Sequence, residues 1–151
     1  MKLPKTNLYS KKVSQSELDT LKTTQESPVQ SFITTKISDL KTSFAENQGK
    51  GSIYGVAWSG GGRGIQRMEI SLDSGKTWQT AEKLEGKKQN PYKAWAWVLW
   101  KLEVEESELK AGDEIICRAV DISYNTQPAD MSMTWNIRGI NNNAWHRVKF
   151  E

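Results

Sequence analysis

The chain alternates apolar and polar positions in short stretches. Gln66, Met68, Ile70 and Leu72 fall on one side of an extended backbone, and Arg67, Glu69, Ser71 and Asp73 fall on the other. Such period-two alternation predicts a strand with one face buried. Asp73-Ser-Gly75-Lys76 then supplies turn residues, and Thr77-Trp-Gln-Thr-Ala81 returns as the partner strand of a hairpin.

The same grammar recurs downstream. Gly51-Ser-Ile-Tyr-Gly-Val-Ala-Trp58 reads as a strand running into Ser59-Gly-Gly-Gly-Arg63. Tyr92-Lys-Ala-Trp-Ala-Trp-Val-Leu-Trp100 is apolar on both faces and predicts a strand in the middle of a sheet. Ala111-Gly-Asp113 turns into Glu114-Ile-Ile-Cys-Arg-Ala-Val120, and Ser123-Tyr-Asn-Thr-Gln-Pro128 reads as a loop. Trp145-His-Arg-Val-Lys-Phe150 closes the chain with Val148 and Phe150 inward. Six or seven short strands without a convincing long helix predict an all-β fold, an antiparallel β-sandwich. Residues 1–27 differ: they hold five lysines, three acids and one aromatic, Tyr9, and are expected to be a flexible leader or linker ahead of a domain over 28–151.

Composition narrows the classes. At 151 residues there is room for one ordinary domain. A mean hydropathy of −0.67 and the absence of a long apolar run argue against a membrane protein. Seven tryptophans argue for a packed fold. A net charge of +3 is too weak a field to argue for nucleic acid. With no secretory leader at Met1 and no peroxisomal address at the end, an intracellular location is the default expectation.

The residues that suggest chemistry have plainer readings. Ser59-Gly-Gly-Gly-Arg-Gly64 lacks the Lys-Ser/Thr and following helix of a phosphate-binding loop, so a tight turn needing glycine is favoured. Ser71-Leu-Asp-Ser-Gly-Lys-Thr-Trp78 fits the Asp-box pattern, in which Asp and Thr brace a hairpin turn and Trp packs beneath it. A single box points to a stabilised turn and hardly to a glycosidase. Trp95, Trp97 and Trp100 are expected in core or interface packing, because they do not share one face. The lone Cys117 excludes an intrachain disulfide and reads as a small buried hydrophobe; the lone His146 reads as a satisfied core or interface histidine. No metal-ligand cluster or catalytic triad is apparent.

Seven ordered segments nevertheless resemble one family. They are Pro28-Val-Gln-Ser31, Gly55-Val-Ala-Trp-Ser-Gly-Gly-Gly-Arg63, the box through Gln79, Lys93-Ala-Trp-Ala-Trp97, Cys117-Arg-Ala-Val-Asp121, Tyr124-Asn-Thr-Gln-Pro128 and residues 135–148. Together they are similar to the C-terminal dimerisation domain of the sulfite oxidase and eukaryotic nitrate reductase family. The resemblance implies an immunoglobulin-like sandwich that forms a homodimer and borders a molybdenum–pterin domain on the same or a separate polypeptide. It implies no cofactor on this chain, since the metal's thiolate ligand belongs to that other domain and Cys117 lies in this domain's own strand. Arg138, Ala144 and His146 side with sulfite oxidases, whereas plant nitrate reductases tend to carry Met at the Arg position. The run Asn141-Asn142-Asn143 leans toward the nitrate reductases. Arg138 is therefore the expected substrate-binding residue, its paired N–H donors matching two oxygens of sulfite. The alternatives are the equivalent nitrate reductase domain, or a free-standing β-sandwich interaction module without catalysis.

Overall fold

A computed structural model describes residues 16, 19–20, 25–86, 88–135 and 139–151. Eight strands form two four-stranded antiparallel sheets. The strands are β1 (Gln30–Ile33), β2 (Lys50–Trp58), β3 (Ile65–Ser71), β4 (Gln79–Thr80), β5 (Glu82–Glu85), β6 (Val98–Glu105), β7 (Glu114–Asp121) and β8 (His146–Lys149). One sheet runs β1-β2-β6-β5 and the other β4-β3-β7-β8. This is the all-β sandwich that the alternation predicts. The leader expected over residues 1–27 lies largely outside the described residues. Of that segment, Glu26 pairs with Arg63 and the Ser27 carbonyl accepts from Gly60 N–H.

Alternation decides which side chains meet between the sheets. In β6, Val98, Trp100, Leu102 and Val104 point inward, while Leu99, Lys101, Glu103 and Glu105 point out. Ile53 and Ala57 of β2, Met68 and Ile70 of β3, and Ile115, Cys117 and Ala119 of β7 complete the middle of the core. The expected inward set on β3 needs one correction. Met68, Ile70 and Leu72 are buried, but Gln66 is exposed because the ladder slips between Ile65 and Arg67. The bulge puts an extra residue there and turns Gln66 off the buried face.

Two further departures have local causes. A helix, α1 (Ile37–Glu46), interrupts the strands. Leu40 and Phe44, four residues apart, plug one end of the sandwich, with Ile37 packed beside them. It ends where Gln48 and Gly49 take positive φ of 54° and 80°, and Gly49 N–H bonds back to the Phe44 carbonyl. The strand expected from residue 92 begins only at Val98. Tyr92 has φ 61°, and the side-chain amide of Gln89 binds both the N–H and the C=O of Ala96, giving that backbone partners outside any ladder. Trp95 and Trp97 are consequently exposed (69% and 58%), and only Trp100 reaches the core.

Candidate functional site

Segments 28–31, 55–63, 93–97, 117–121 and 124–128 meet at one end of the sandwich, whereas the Asp box closes β3 at the other, where Ser74 N–H donates to the Glu114 carbonyl. The loop after β2 and the loop before β6 are joined where Ala94 N–H donates to the Gly62 carbonyl at 2.9 Å. Gly62, at φ 68°, allows that approach: a Cβ there would lie 2.2 Å from the Tyr92 carbonyl oxygen. The glycine run is thus the tight loop expected of it. On the other side, Ile122 N–H donates to the Gly64 carbonyl, bringing in the loop after β7.

Asp121 fastens this end. Its side chain is fully buried and accepts from Ser59 Oγ (2.8 Å), Arg63 Nε (3.0 Å), Ser123 N–H (2.9 Å), and both the N–H and Nδ2 of Asn125 (3.0 and 2.9 Å). Burial pushes the carboxyl's pKa up, but the bonds from Asn125, Ser59 and Ser123 outweigh it and hold the pKa below the ordinary value. Asp121 is therefore an anion that organises a turn, with its acceptor capacity spent inward.

A second buried knot holds the closing segment. Gln127 Oε1 accepts from Ser31 Oγ at 2.7 Å and from Ala119 N–H at 2.8 Å, while its Nε2 donates to the Asn143 carbonyl at 3.0 Å. Asn143 Nδ2 donates to the Val29 carbonyl and Trp145 Nε1 to the Gln127 carbonyl. Gln127 and Asn143 are the buried polar residues that pattern reading left unassigned. Their signal was slight, a Gln in a loop and one Asn among three. The segment they anchor, residues 139–145, leads back toward Arg138.

Arg138 itself lies outside the described residues. On either side of that gap, Trp135 is 64% exposed and Gly139 has φ 64°. Trp95, Tyr92 and Tyr124 on the neighbouring loops are also largely exposed (69%, 69% and 74%), so this end of the sandwich presents aromatic rings. Two open grooves, about 530 and 370 Å³, instead flank α1 at the far end, lined by residues such as Ser43, Lys50 and Tyr54.

The remaining candidates sit where packing explains them. Cys117 is fully buried, with Sγ 3.4 Å from Ser31 Oγ, and burial pushes its thiol up to about 12. A thiol so disfavoured as thiolate does not fit a metal ligand. Among the described residues, no three His, Cys, Asp or Glu side chains converge as a metal site. His146 is half-buried, its Nδ1 accepting from Ile33 N–H at 3.3 Å and its ring edge-on to Phe32. In the Asp box, Asp73 accepts from Lys76 and Thr77 N–H, Thr77 Oγ1 and Ser71 Oγ. Trp78 lies beside Gly75 of the turn, with the Arg118 guanidinium 3.8 Å from its ring centroid and Trp145 edge-on to it.

Fold and loop end together define a two-sheet antiparallel β-sandwich whose buried polar groups are spent on fixing its loops. The family model for the Mo-co oxidoreductase dimerisation domain matches residues 21–151, and the chain belongs to that family. It is 46% identical to mitochondrial sulfite oxidase of Homo sapiens over 132 residues, 87% of this chain and 23% of that protein. It is 43% identical to nitrate reductase [NADH] of Cucurbita maxima over 99 residues, 65% of this chain and 11% of that protein. Among solved structures, the sulfane dehydrogenase SoxCD of Paracoccus pantotrophus matches with a TM-score of 0.55 and 27% identity, over 80% of this chain and 29% of that one. The chain thus spans about a quarter of the length of the sulfite oxidase it matches. Among the described residues no helix is long and apolar enough to cross a membrane.

Proposed function

We propose that this domain pairs two subunits of a sulfite-oxidising molybdoenzyme and walls one side of its active site, with Arg138 binding the anionic substrate. The observation that carries the reading is the meeting of segments 55–63, 93–97 and 124–128 at one exposed, aromatic end, within a chain that belongs to the dimerisation family. Residues 28–151 form the pairing domain, and 1–27 lead into it. The molybdenum cofactor is held by the part of the enzyme beyond this domain. Arg138 supplies a permanent charge and a planar fork of N–H donors, suited to two oxygens of one oxyanion.

Truncating such a contact in a desolvated site costs about 2–4 kcal/mol, a loss of roughly 30- to 1,000-fold in kcat/KM. Arg138→Met in the complete enzyme is therefore expected to raise the KM for sulfite strongly, with cofactor content and subunit pairing unchanged. Unaltered sulfite kinetics in a fully loaded enzyme would remove Arg138 from the site. The 43% identity to a nitrate reductase favours a second reading, the same domain serving nitrate reduction. Comparing turnover of sulfite and nitrate by the complete enzyme separates the two.

A further inference from the structure

The two outer faces of the sandwich differ in kind. On the β4-β3-β7-β8 sheet, outward charges are already partnered: Arg67 and Arg118 hold Glu69 at 2.9 and 2.7 Å, and Arg147 holds Glu114 at 2.9 Å. Trp78 and Trp145 lie against Arg118 on that face, and Ile116 and Val120, which also point outward, are buried. The chain covers this side itself.

Among the described residues, no element packs on the outer face of the β1-β2-β6-β5 sheet. Phe32, Val56 and Leu99 form one row across three strands, since Phe32 is the register partner of Val56 and Val56 of Leu99. Trp58 stacks on Phe32 with ring centroids 5.7 Å apart, and Trp97 stacks on Trp58 at 5.0 Å. Phe32, Leu99 and Trp97 are 38%, 36% and 58% exposed. Further along the face, Lys101 and Glu103 pair at 2.7 Å and offer no net charge to a neighbour.

We propose that this row is the two-fold interface between two copies of the chain; the proposal makes the dimerisation reading specific and rests on it. An isologous interface must be complementary to itself. A two-fold axis at Val56, the middle of the row, lays Phe32 of one copy on Leu99 of the other, apolar on apolar at both ends. The size is suitable. Strands of eight and nine residues at about 3.4 Å per residue, with neighbours about 4.8 Å apart, give a face of roughly 500 Å² in plan. The relief of its side chains brings the accessible area toward the ~800 Å² per partner that stable interfaces bury. Stacked tryptophans at one end provide the rigid aromatic anchors on which interface energy concentrates. The loop end that carries Tyr92, Trp95 and Tyr124 is left free for the catalytic part of the enzyme.

The test compares wild type, Leu99→Glu and Tyr124→Ser by sedimentation equilibrium of the full chain. Leu99 already touches solvent, so the glutamate is tolerated in the monomer and buried unpaired only in the dimer. We expect its dissociation constant to rise by about 100-fold or more while Tyr124→Ser, at the loop end, pairs like wild type. Val56→Cys provides a second readout: placed at the axis, it is expected to form a disulfide-linked dimer under mild oxidation, Cys117 being buried. Wild-type pairing by Leu99→Glu, with no cross-link at Val56→Cys, would overturn the face while leaving dimerisation in place. Loss of pairing in Tyr124→Ser alone would move the interface to the loop end and overturn it too. A monomeric wild type would overturn the dimerisation reading itself.

Discussion

Arg63 donates its Nε–H to Asp121 at 3.0 Å, joining the glycine loop after β2 to the last residue of β7, fifty-eight positions away in sequence. Asp121 has no exposed surface, and the Arg63 side chain is 19% exposed. Removing one member of a buried pair typically costs 3–5 kcal/mol, because it strands a charge. Here four other hydrogen bonds remain on Asp121, so Arg63→Met is expected to cost about 1–3 kcal/mol in urea unfolding. No change in midpoint would show the pair to be dispensable. The sign with pH follows from the lowered carboxyl: its contribution is fully present above the ordinary value of 3.8 and is lost as pH falls through the depressed folded value.

His146 makes the opposite kind of statement. Burial lowers its pKa from 6.5, and its Nδ1 needs to be unprotonated to accept from Ile33. The neutral form belongs to the fold, so the stabilisation is complete above about 6.5 and disappears as pH falls through the lowered folded value. It is the only histidine of the chain. A stability slope between neutral and mildly acid pH is therefore expected in wild type and absent in His146→Leu. A slope that survives the substitution would assign it to other groups.

Gly55 faces the indole of Trp100 so closely that a Cβ would sit 2.1 Å from both Trp100 Cζ2 and the Phe32 carbonyl oxygen. The backbone oxygen cannot swing away, so Gly55→Ala is expected to destabilise by about 3 kcal/mol. Trp100→Phe recovers only part of this, because it relieves one of the two clashes. The Trp100 Nε1–H is buried with no hydrogen-bond partner among the described residues. Losing that orphan donor offsets some of the lost packing, and Trp100→Phe alone is expected to cost less than about 2 kcal/mol. Thermal melts of the three variants check the order.

Asp73 is held well below the usual carboxylate range, first by the N–H and hydroxyl of Thr77, against a small penalty from burial, and then by Ser71 and Lys76. Asp73→Asn keeps an acceptor for the turn's N–H groups but cannot serve all the donors. Asp73→Ala keeps none. The melting temperature is expected to fall in that order, and equal melting of all three proteins would mean that the box is ornamental.

The strands were legible because β3 and β6 each bury one face, which leaves a period-two imprint on Met68 and Ile70, or on Val98 and Trp100. The helix escaped notice because Ile37, Leu40 and Phe44 are its only large apolar residues, three spread over eight positions. Trp95 and Trp97 misled for a different reason. Their apolarity belongs to a surface outside the chain's own core, and hydropathy does not say which surface a tryptophan serves. The buried work of Gln127 and Asn143 depends on partners about a hundred residues away, Ser31 and Val29, which no local pattern announces. The family resemblance held over the chain, whereas the role of Arg138 rests on chemistry and on the kinetic test given above.

The central claim is that this domain brings two subunits together. Sedimentation equilibrium of the full 151-residue chain at micromolar concentration tests it most directly. The account predicts a species of twice 17.1 kDa that dissociates only on dilution. A single 17.1 kDa species at every concentration would contradict it.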